Sequence, residues 1–123
     1  MLPDKAKVKE FSGRGELQEL PSSSGCFACG LDNPGGLHIQ FYTDGEVAYG
    51  EYVPPTSDQG YDGVLHGGIL STLLDEVMAK ALAVQGITVV TGKLEVRFRN
   101  MAPIGEKLLI KGWVKSQRRD SYL

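Results

Sequence analysis

Residues 64–84, VLHGGILSTLLDEVMAKALAV, carry the strongest structural signal of the chain and predict one long, mostly buried helix. Apolar side chains recur along them at the i, i+3 and i+4 spacing of a helix with one broad apolar face. These side chains are Ile69, Leu70, Leu73, Leu74, Val77, Met78, Ala81 and Leu82.

The predicted helix has an unusual start, His66-Gly67-Gly68, where a Ser or Asp cap is the common arrangement. Glycine costs roughly 1 kcal/mol relative to alanine in a helix, so the two glycines need a compensating purpose. One interpretation is close approach of a ligand to bare backbone N–H groups, where the helix dipole favours negative charge. The other is a plain junction between loop and helix, and the glycines alone do not separate the two.

Two adjacent acids on this helix point in directions about 100° apart, because a helical turn contains 3.6 residues. Glu76 lies four residues before Lys80, which predicts an ion pair on the exposed surface. Asp75 lacks such a partner and lies at the border of the apolar face, where a partly desolvated carboxylate suits general base catalysis. A solvated carboxylate at the helix boundary is the alternative interpretation.

Length and composition indicate a single globular domain. The chain has 123 residues, of which 41% are hydrophobic and 23% charged. A formal net charge of -2 argues against a nucleic-acid partner. Since the sequence contains neither a signal peptide nor 18 consecutive apolar residues, we expect no membrane partner and a cytoplasmic location.

The N-terminal region combines polar residues with a CxxC pair. We expect residues 1–25 to form a loose arm, with a short helical turn near residues 10–20, and residues 26–123 to form the domain. Cys26 and Cys29, without a secretory signal, indicate reduced thiols or metal ligands rather than a structural disulfide. Because zinc needs four ligands and only His38 is available beside them, we expect buried, inert thiols and no metal site.

Alternating apolar residues in 37–43 and 47–53, joined by Asp44-Gly45, predict a β-hairpin with a two-residue turn. Gly86 is expected to end the central helix. Residues 88–99 then alternate between apolar and charged side chains, which predicts a long strand with one solvated face, and residues 107–115 predict another strand. This order indicates an α+β fold with one antiparallel sheet wrapped around one helix.

Three runs of sequence together resemble the hotdog-fold acyl-CoA thioesterases of the PaaI-like group. They are CFACGLDNPGGLHIQFY from residue 26, GVLHGGILSTLLDEVMAKA from residue 63 and TGKLEVRFRNMAPIGE from residue 91. The resemblance spans residues 26–114 and implies the hotdog fold, acyl-CoA as the substrate and no cofactor. It also implies a homodimer or homotetramer that pairs edge to edge through residues 88–99, with active sites at the dimer interface.

The resemblance implies a set of catalytic residues. The catalytic carboxylate of the family stands nine residues after the His of HGG, which falls on Asp75 and not on Glu76. The backbone N–H of Gly67, with His66 beside it, is expected to polarise the thioester carbonyl. Thr91 occupies the place of a hydroxyl residue that assists the base in relatives.

Further residues are expected to bind substrate. Gly68 follows the oxyanion donor, and Arg97 and Arg99 are candidates for binding the CoA phosphates, although solvated strand charges explain them equally well. Some relatives carry an Asn six residues before the His, a position that is Gly60 here. The adjacent Gln59 is the candidate to replace that Asn.

Relatives continue past residues 118–119 through further strands that lie inside the sheet. We therefore expect the fold to lack C-terminal strands, so that the chain is a shortened form or a second copy supplies the missing pairing.

Three other functions fit the same sequence. One is a different chemistry on an acyl thioester, such as hydration. Another is a non-catalytic acyl-CoA binding or regulatory module on the same scaffold. The third is a zinc-stabilised interaction module built on Cys26 and Cys29.

Overall fold

A computed structural model of the protein describes residues 17–123. Strands β1 to β4 form one antiparallel sheet in that order, and β5 and β6 form a separate hairpin. The elements, in chain order, are β1 (Gln18–Glu19), β2 (Phe41–Thr43), β3 (Ala48–Tyr52), a 3₁₀ turn (Thr56–Asp58), α1 (Gly67–Ala83), β4 (Leu108–Gly112), β5 (Gln117–Arg118) and β6 (Ser121–Tyr122).

The core lies between α1 and the sheet, which confirms the predicted α+β arrangement of an antiparallel sheet on one long central helix. The helix contributes Leu73, Val77 and Ala81, and the sheet contributes Phe41, Ala48 and Ile110. Gly112 of β4 lies directly against the helix backbone, because a Cβ there would be 2.7 Å from the carbonyl oxygen of Val77. This close approach brings the helix and the sheet into contact without an intervening side chain.

The predicted hairpin is present as β2 and β3, but its strands are shorter than expected and its turn is longer. Thr43 pairs with Ala48, so four residues rather than two connect the strands. The Asp44 carboxylate explains the longer turn, because Oδ1 accepts the N–H groups of Glu46 and Val47, each at 2.9 Å. These backbone N–H groups, together with the Tyr49 hydroxyl, hold the pKa of Asp44 below its ordinary value.

The prediction that β2 begins at residue 37 is wrong. His38 has a φ of 55°, which is incompatible with a continuous strand. The N–H groups of Leu37 and Ile39 instead donate to the carbonyls of Phe27 and Ala28, at 2.7 and 2.9 Å. Leu37 and Ile39 are therefore bonded to the turn that carries the two cysteines. We define the cysteine loop as residues 20–37.

Helix α1 begins at Gly67, within the His66-Gly67-Gly68 start that the sequence predicted. Two backbone bonds hold the preceding residues in the loop, from Leu65 N–H to Ala102 O at 2.8 Å and from His66 N–H to Asp58 O at 2.9 Å. His66 is the N-cap, and its Nδ1 accepts the Gly68 N–H at 2.8 Å. A Cβ at position 68 would lie 3.0 Å from that nitrogen, which explains the glycine.

Gly86 ends the helix as predicted. Its φ of 75° lies in the left-handed region that glycine adopts without strain. The Gly86 N–H donates to Ala83 O at 3.0 Å, and the Ile87 N–H donates to Leu82 O at 3.1 Å. This pair of bonds is the Schellman motif, which satisfies carbonyls at the end of a helix.

The prediction that Glu76 and Lys80 form an exposed surface pair is wrong. The pair exists at 3.8 Å, but Lys80 is only 8% exposed. Its Nζ donates to Pro21 O at 2.5 Å and lies 5.8 Å from the centre of the Phe41 ring. The side chain is buried because the cysteine loop covers this face of α1, which the helical spacing of the two residues does not reveal.

The predicted long strand over residues 88–99 is also absent. Within residues 17–123, no backbone hydrogen bond is donated or accepted by residues 88–101. A strand is stabilised by a neighbouring strand, and none of the described strands pairs with this segment. The apolar side chains of the alternating pattern are consequently exposed, with Val90 at 96% and Phe98 at 58%.

The predicted strand over residues 107–115 is confirmed as β4, again in shorter form. Part of the expected N-terminal arm is attached to the sheet, since β1 pairs with β2 and the Leu20 N–H donates to Phe41 O at 2.9 Å. Residues 10–16 of the expected helical turn lie outside the described residues, and residues 18–19 form a strand.

Replacing Gly112 with alanine is expected to destabilise the fold by about 1–3 kcal/mol, because the added methyl group overlaps the Val77 carbonyl and forces helix and sheet apart. Urea unfolding followed by circular dichroism measures the change. Gly25→Ala is the matched control, since a Cβ there meets no atom within 4 Å. Equal stability of the two variants would contradict the proposed close packing.

Replacing His66 with alanine is expected to lower the free energy of unfolding by about 1 kcal/mol, because the Gly68 N–H loses its acceptor. His66→Asn supplies a side-chain oxygen at the same place, so most of the loss should be recovered. Thermal unfolding of the three proteins tests this, and an alanine variant as stable as the parent chain would exclude a capping role.

Candidate active site

Asp75 and Thr91 are in direct contact. The Thr91 hydroxyl donates to Asp75 Oδ1 at 2.5 Å, within the range of a short hydrogen bond to a charged acceptor. Asp75 is partly buried on α1, whereas Thr91 is exposed on the segment that follows the helix. The hydroxyl therefore restrains the orientation of the carboxylate. The alternating pattern of residues 88–99 gave no indication of this bond, and Thr91 was a candidate through the family resemblance alone.

The first turn of α1 leaves one backbone donor free. The N–H groups of Ile69 and Leu70 both donate to His66 O at 3.0 Å, and the Gly68 N–H donates to the His66 ring. Gly67 N–H has no acceptor among residues 17–123. The N-terminal end of the helix thus presents a single unused donor, where the dipole favours negative charge.

Phe98 lies beside this free donor, a contact that the sequence pattern did not reveal. Its Cε1 atom is 3.4 Å from the position that a Gly67 Cβ would occupy. An apolar ring next to an N–H group lowers the local dielectric constant and strengthens a hydrogen bond made there. The sequence placed Phe98 in the same segment as Thr91, but it did not predict that Phe98 contacts Gly67.

The free donor and the carboxylate do not converge within one chain. Asp75 follows Gly67 by eight residues on the same helix. At a rise of 1.5 Å per residue, the two groups are about 12 Å apart along the axis. A nucleophile or base and an oxyanion donor must both reach one carbonyl group, each at about 3 Å. A single chain therefore holds the two parts of the site separately.

The predicted substrate-binding residues are distributed around these groups. Gln59 Oε1 accepts the Gly63 N–H at 3.2 Å and so holds the loop before α1. Gly60 packs against His66, since a Cβ at position 60 would be 3.3 Å from the His66 Cα. Arg97 and Arg99 are exposed and form no ion pair with residues 17–123. Their roles, and those of the four predicted catalytic residues, stay predictions.

The two cysteines both belong to the cysteine loop, and both are free thiols. Cys29 is 3% exposed, and burial raises the pKa of its thiol, with a further upward contribution from a hydrogen bond to Cys26. The Cys26 thiol donates to Glu76 Oε1 at 3.8 Å. His38, the only other metal ligand considered from sequence, lies elsewhere and bonds through Nε2 to the Asn33 carbonyl.

Over residues 17–123, no helix has the length and apolar character needed to cross a membrane.

Comparison with known proteins gives one family. A sequence model of the thioesterase superfamily matches residues 62–122, which include α1, the segment with Thr91 and the C-terminal hairpin. A comparison with curated proteins returned no match.

Solved structures share the fold. A crystal structure of a thioesterase superfamily protein superimposes with a TM-score of 0.72 and 27% identity, over 77% of this chain and 47% of that one. Zebrafish thioesterase superfamily member 2 gives 0.61 and 26%, over 72% and 69%. The Mus musculus member 2 gives 0.60 and 24%, over 68% and 63%, and supports the fold alone.

The chain thus spans about half to two thirds of the length of the structures it resembles. The neighbours have the hotdog arrangement of an antiparallel sheet around one helix, which agrees with the fold predicted from sequence. The second half of the chain thus matches the sequence model of the thioesterase superfamily, and the fold is that of solved thioesterase superfamily structures.

Proposed function

We propose that the protein hydrolyses an acyl-CoA thioester to the free acid and CoA, at sites shared between two copies of the chain. The observation that carries this proposal is that α1 holds a carboxylate and a free backbone donor, which lie apart from each other within one chain. One is the Asp75 carboxylate held by Thr91, and the other is the unused Gly67 N–H. Thioester hydrolysis needs both kinds of group at one carbonyl.

A second copy supplies the missing partner for each group. Residues 88–101 leave their backbone donors and acceptors unpaired within the described chain and expose Val90 and Phe98. Such an edge pairs with the same edge of another copy in a symmetric dimer. Pairing there satisfies the backbone groups and buries apolar surface, and it brings α1 of one copy near Thr91 of the other.

In the proposed reaction the thioester oxygen accepts the Gly67 N–H of one copy. Asp75 of the other copy takes a proton from water, which attacks the carbonyl carbon, or attacks that carbon directly. Negative charge develops on the oxygen and is stabilised by the donor and the helix dipole. The carbon–sulfur bond then breaks, and the CoA thiolate leaves and is protonated. Attack by water releases the free acid at this point, whereas direct attack leaves an acyl–Asp75 anhydride, which water then hydrolyses to the free acid and the Asp75 carboxylate.

His66 supports the oxyanion donor through its tautomer. Because Nδ1 accepts the Gly68 N–H, the neutral ring carries its proton on Nε2, which is then a second donor for the carbonyl region. Gly68 contributes because it has no side chain, so the His66 ring can lie close to its backbone. We assign Gln59 to the loop that positions His66, and Arg97 and Arg99 to the phosphates of CoA.

We further place the protein in the PaaI-like group and in the cytoplasm. The three sequence runs that resemble this group support the first assignment. The free thiols of Cys26 and Cys29 support the second, since reduced cysteines are typical of that compartment.

Replacing Asp75 with asparagine is expected to lower kcat by about 10²–10⁴-fold, because the amide neither accepts a proton nor attacks the carbonyl. Release of free thiol from a panel of short, medium and aromatic acyl-CoAs measures the change. Asp120→Asn, which alters an exposed acid in the β5–β6 turn, is the control and should retain activity. Full turnover by Asp75→Asn would contradict the assignment of Asp75 as the catalytic carboxylate. Saturable acyl-CoA binding without thiol release by the parent chain would favour the binding module instead.

Replacing Thr91 with valine is expected to lower kcat about 10- to 100-fold, because a hydrogen bond to a charged group contributes roughly 1.5–3 kcal/mol. Thr91→Ser keeps the hydroxyl and should retain most of the activity. Steady-state kinetics of both variants against the best substrate distinguish loss of the bond from loss of bulk. If serine is as damaging as valine, the hydroxyl is not the relevant group.

A further inference from the structure

A second cluster of reactive side chains lies on the face of α1 that carries Glu76, about 100° around the helix from Asp75. Cys26, Cys29 and Glu76 each offer one ligand atom, and these atoms lie within 4.8 Å of one another. Cys29 is buried and the other two are partly buried. The thiols belong to the cysteine loop and the carboxylate to α1, so the cluster joins two separate parts of the fold.

We propose that Cys26, Cys29 and Glu76 bind a zinc ion that fastens the cysteine loop to the central helix. Thiolate sulfur and carboxylate oxygen are both ordinary zinc ligands, and two cysteines separated by two residues are a common half of a zinc site. Thiolates also favour zinc over magnesium and calcium, which prefer oxygen ligands alone.

The turn that carries the thiols is already formed. The Gly30 N–H donates to Cys26 O at 2.9 Å, and a Cβ at position 30 would lie only 2.3 Å from Ser24 O. At Gly36 the corresponding distance to Phe27 O is 2.6 Å. Only glycine fits at these two positions, so the backbone itself sets the spacing of the two sulfur atoms. A ligand pair held in this way loses little entropy when it binds an ion.

The charges at the cluster suit a divalent cation. Two thiolates and one carboxylate carry three negative charges, and the Lys80 ammonium, 3.8 Å from Glu76 Oε1, offsets one of them. A zinc ion neutralises the remaining two, so the buried group as a whole carries no net charge, as burial requires. Glu76 Oε1 lies 3.8 Å from both Cys26 Sγ and Lys80 Nζ, so the carboxylate contacts a thiol and the ammonium at once.

The fourth position of the ion is left to water. His38 does not fill it, because its Nε2 is bonded to the Asn33 carbonyl. Glu76 directly follows Asp75 in the sequence, so an ion here restrains the helix turn that carries the proposed catalytic carboxylate. Because the ion would act on the helix turn and not on the thioester, we expect it to affect stability rather than the chemical step.

The test uses the full chain, reduced and freed of metal, titrated with Co²⁺ and then with Zn²⁺. We expect Co²⁺ to give thiolate charge-transfer absorption, one Zn²⁺ to bind per chain, and zinc to raise the melting temperature reversibly with a chelator. Cys29→Ser and Glu76→Gln should each weaken zinc affinity by at least about tenfold. Glu95→Gln, which removes an exposed carboxylate elsewhere, is the matched control and should bind zinc as the parent chain does.

Absence of thiolate absorption with Co²⁺ would overturn the proposal, as would zinc affinity that is unchanged in Glu76→Gln. If Cys29→Ser fails to fold, Glu76→Gln keeps the test valid, because it preserves the size of the side chain and both thiols. Neither outcome depends on thioester hydrolysis, since metal content, absorption and melting temperature are all measured without substrate.

Discussion

Burial of α1 against the sheet is the interaction on which the rest of the structure depends. Leu73 and Val77 are 0% and 1% exposed, and Phe41 of β2 is 0% exposed on the facing side. Burying side chains of this size stabilises a fold by about 1.5–3 kcal/mol each. Gly112 allows the two layers to touch at the backbone, which fixes the height of the helix above β4. The ends of α1, and therefore His66 and Gly67, are positioned by this contact.

Function is expected in the two regions whose backbone groups lack hydrogen-bond partners within the described chain. At the start of α1, three of the first four N–H groups have acceptors and only that of Gly67 does not. After the helix, residues 88–101 lack backbone partners within the described chain. Unpaired backbone groups are costly when they are buried, so both regions are suited to contact with something outside the single chain. The start of α1 and residues 88–101 are the two regions that an active site shared between two copies would use.

The face of α1 that carries Glu76 and Lys80 shows how a polar group is accommodated in a small domain. Lys80 is buried, yet its ammonium contacts the Pro21 carbonyl, the Glu76 carboxylate and the Phe41 ring. Each contact offsets part of the cost of removing a charge from water. The same covering by residues 20–37 brings two thiols to Glu76. The cysteine loop thus encloses a polar cluster on a helix face that the sequence predicted to be exposed to solvent.

The long helix, its Gly86 terminus and the hairpin followed from the sequence, because apolar periodicity and glycine stops act over a few residues. Asp75 and Thr91 were candidates from family motifs, but their 2.5 Å bond joins residues sixteen positions apart and depends on the path of the chain after α1. The same holds for the Cys26–Glu76 contact across fifty positions. The strand expected over residues 88–99 did not form, because alternation specifies which face is apolar and cannot supply the neighbouring strand that hydrogen bonding requires.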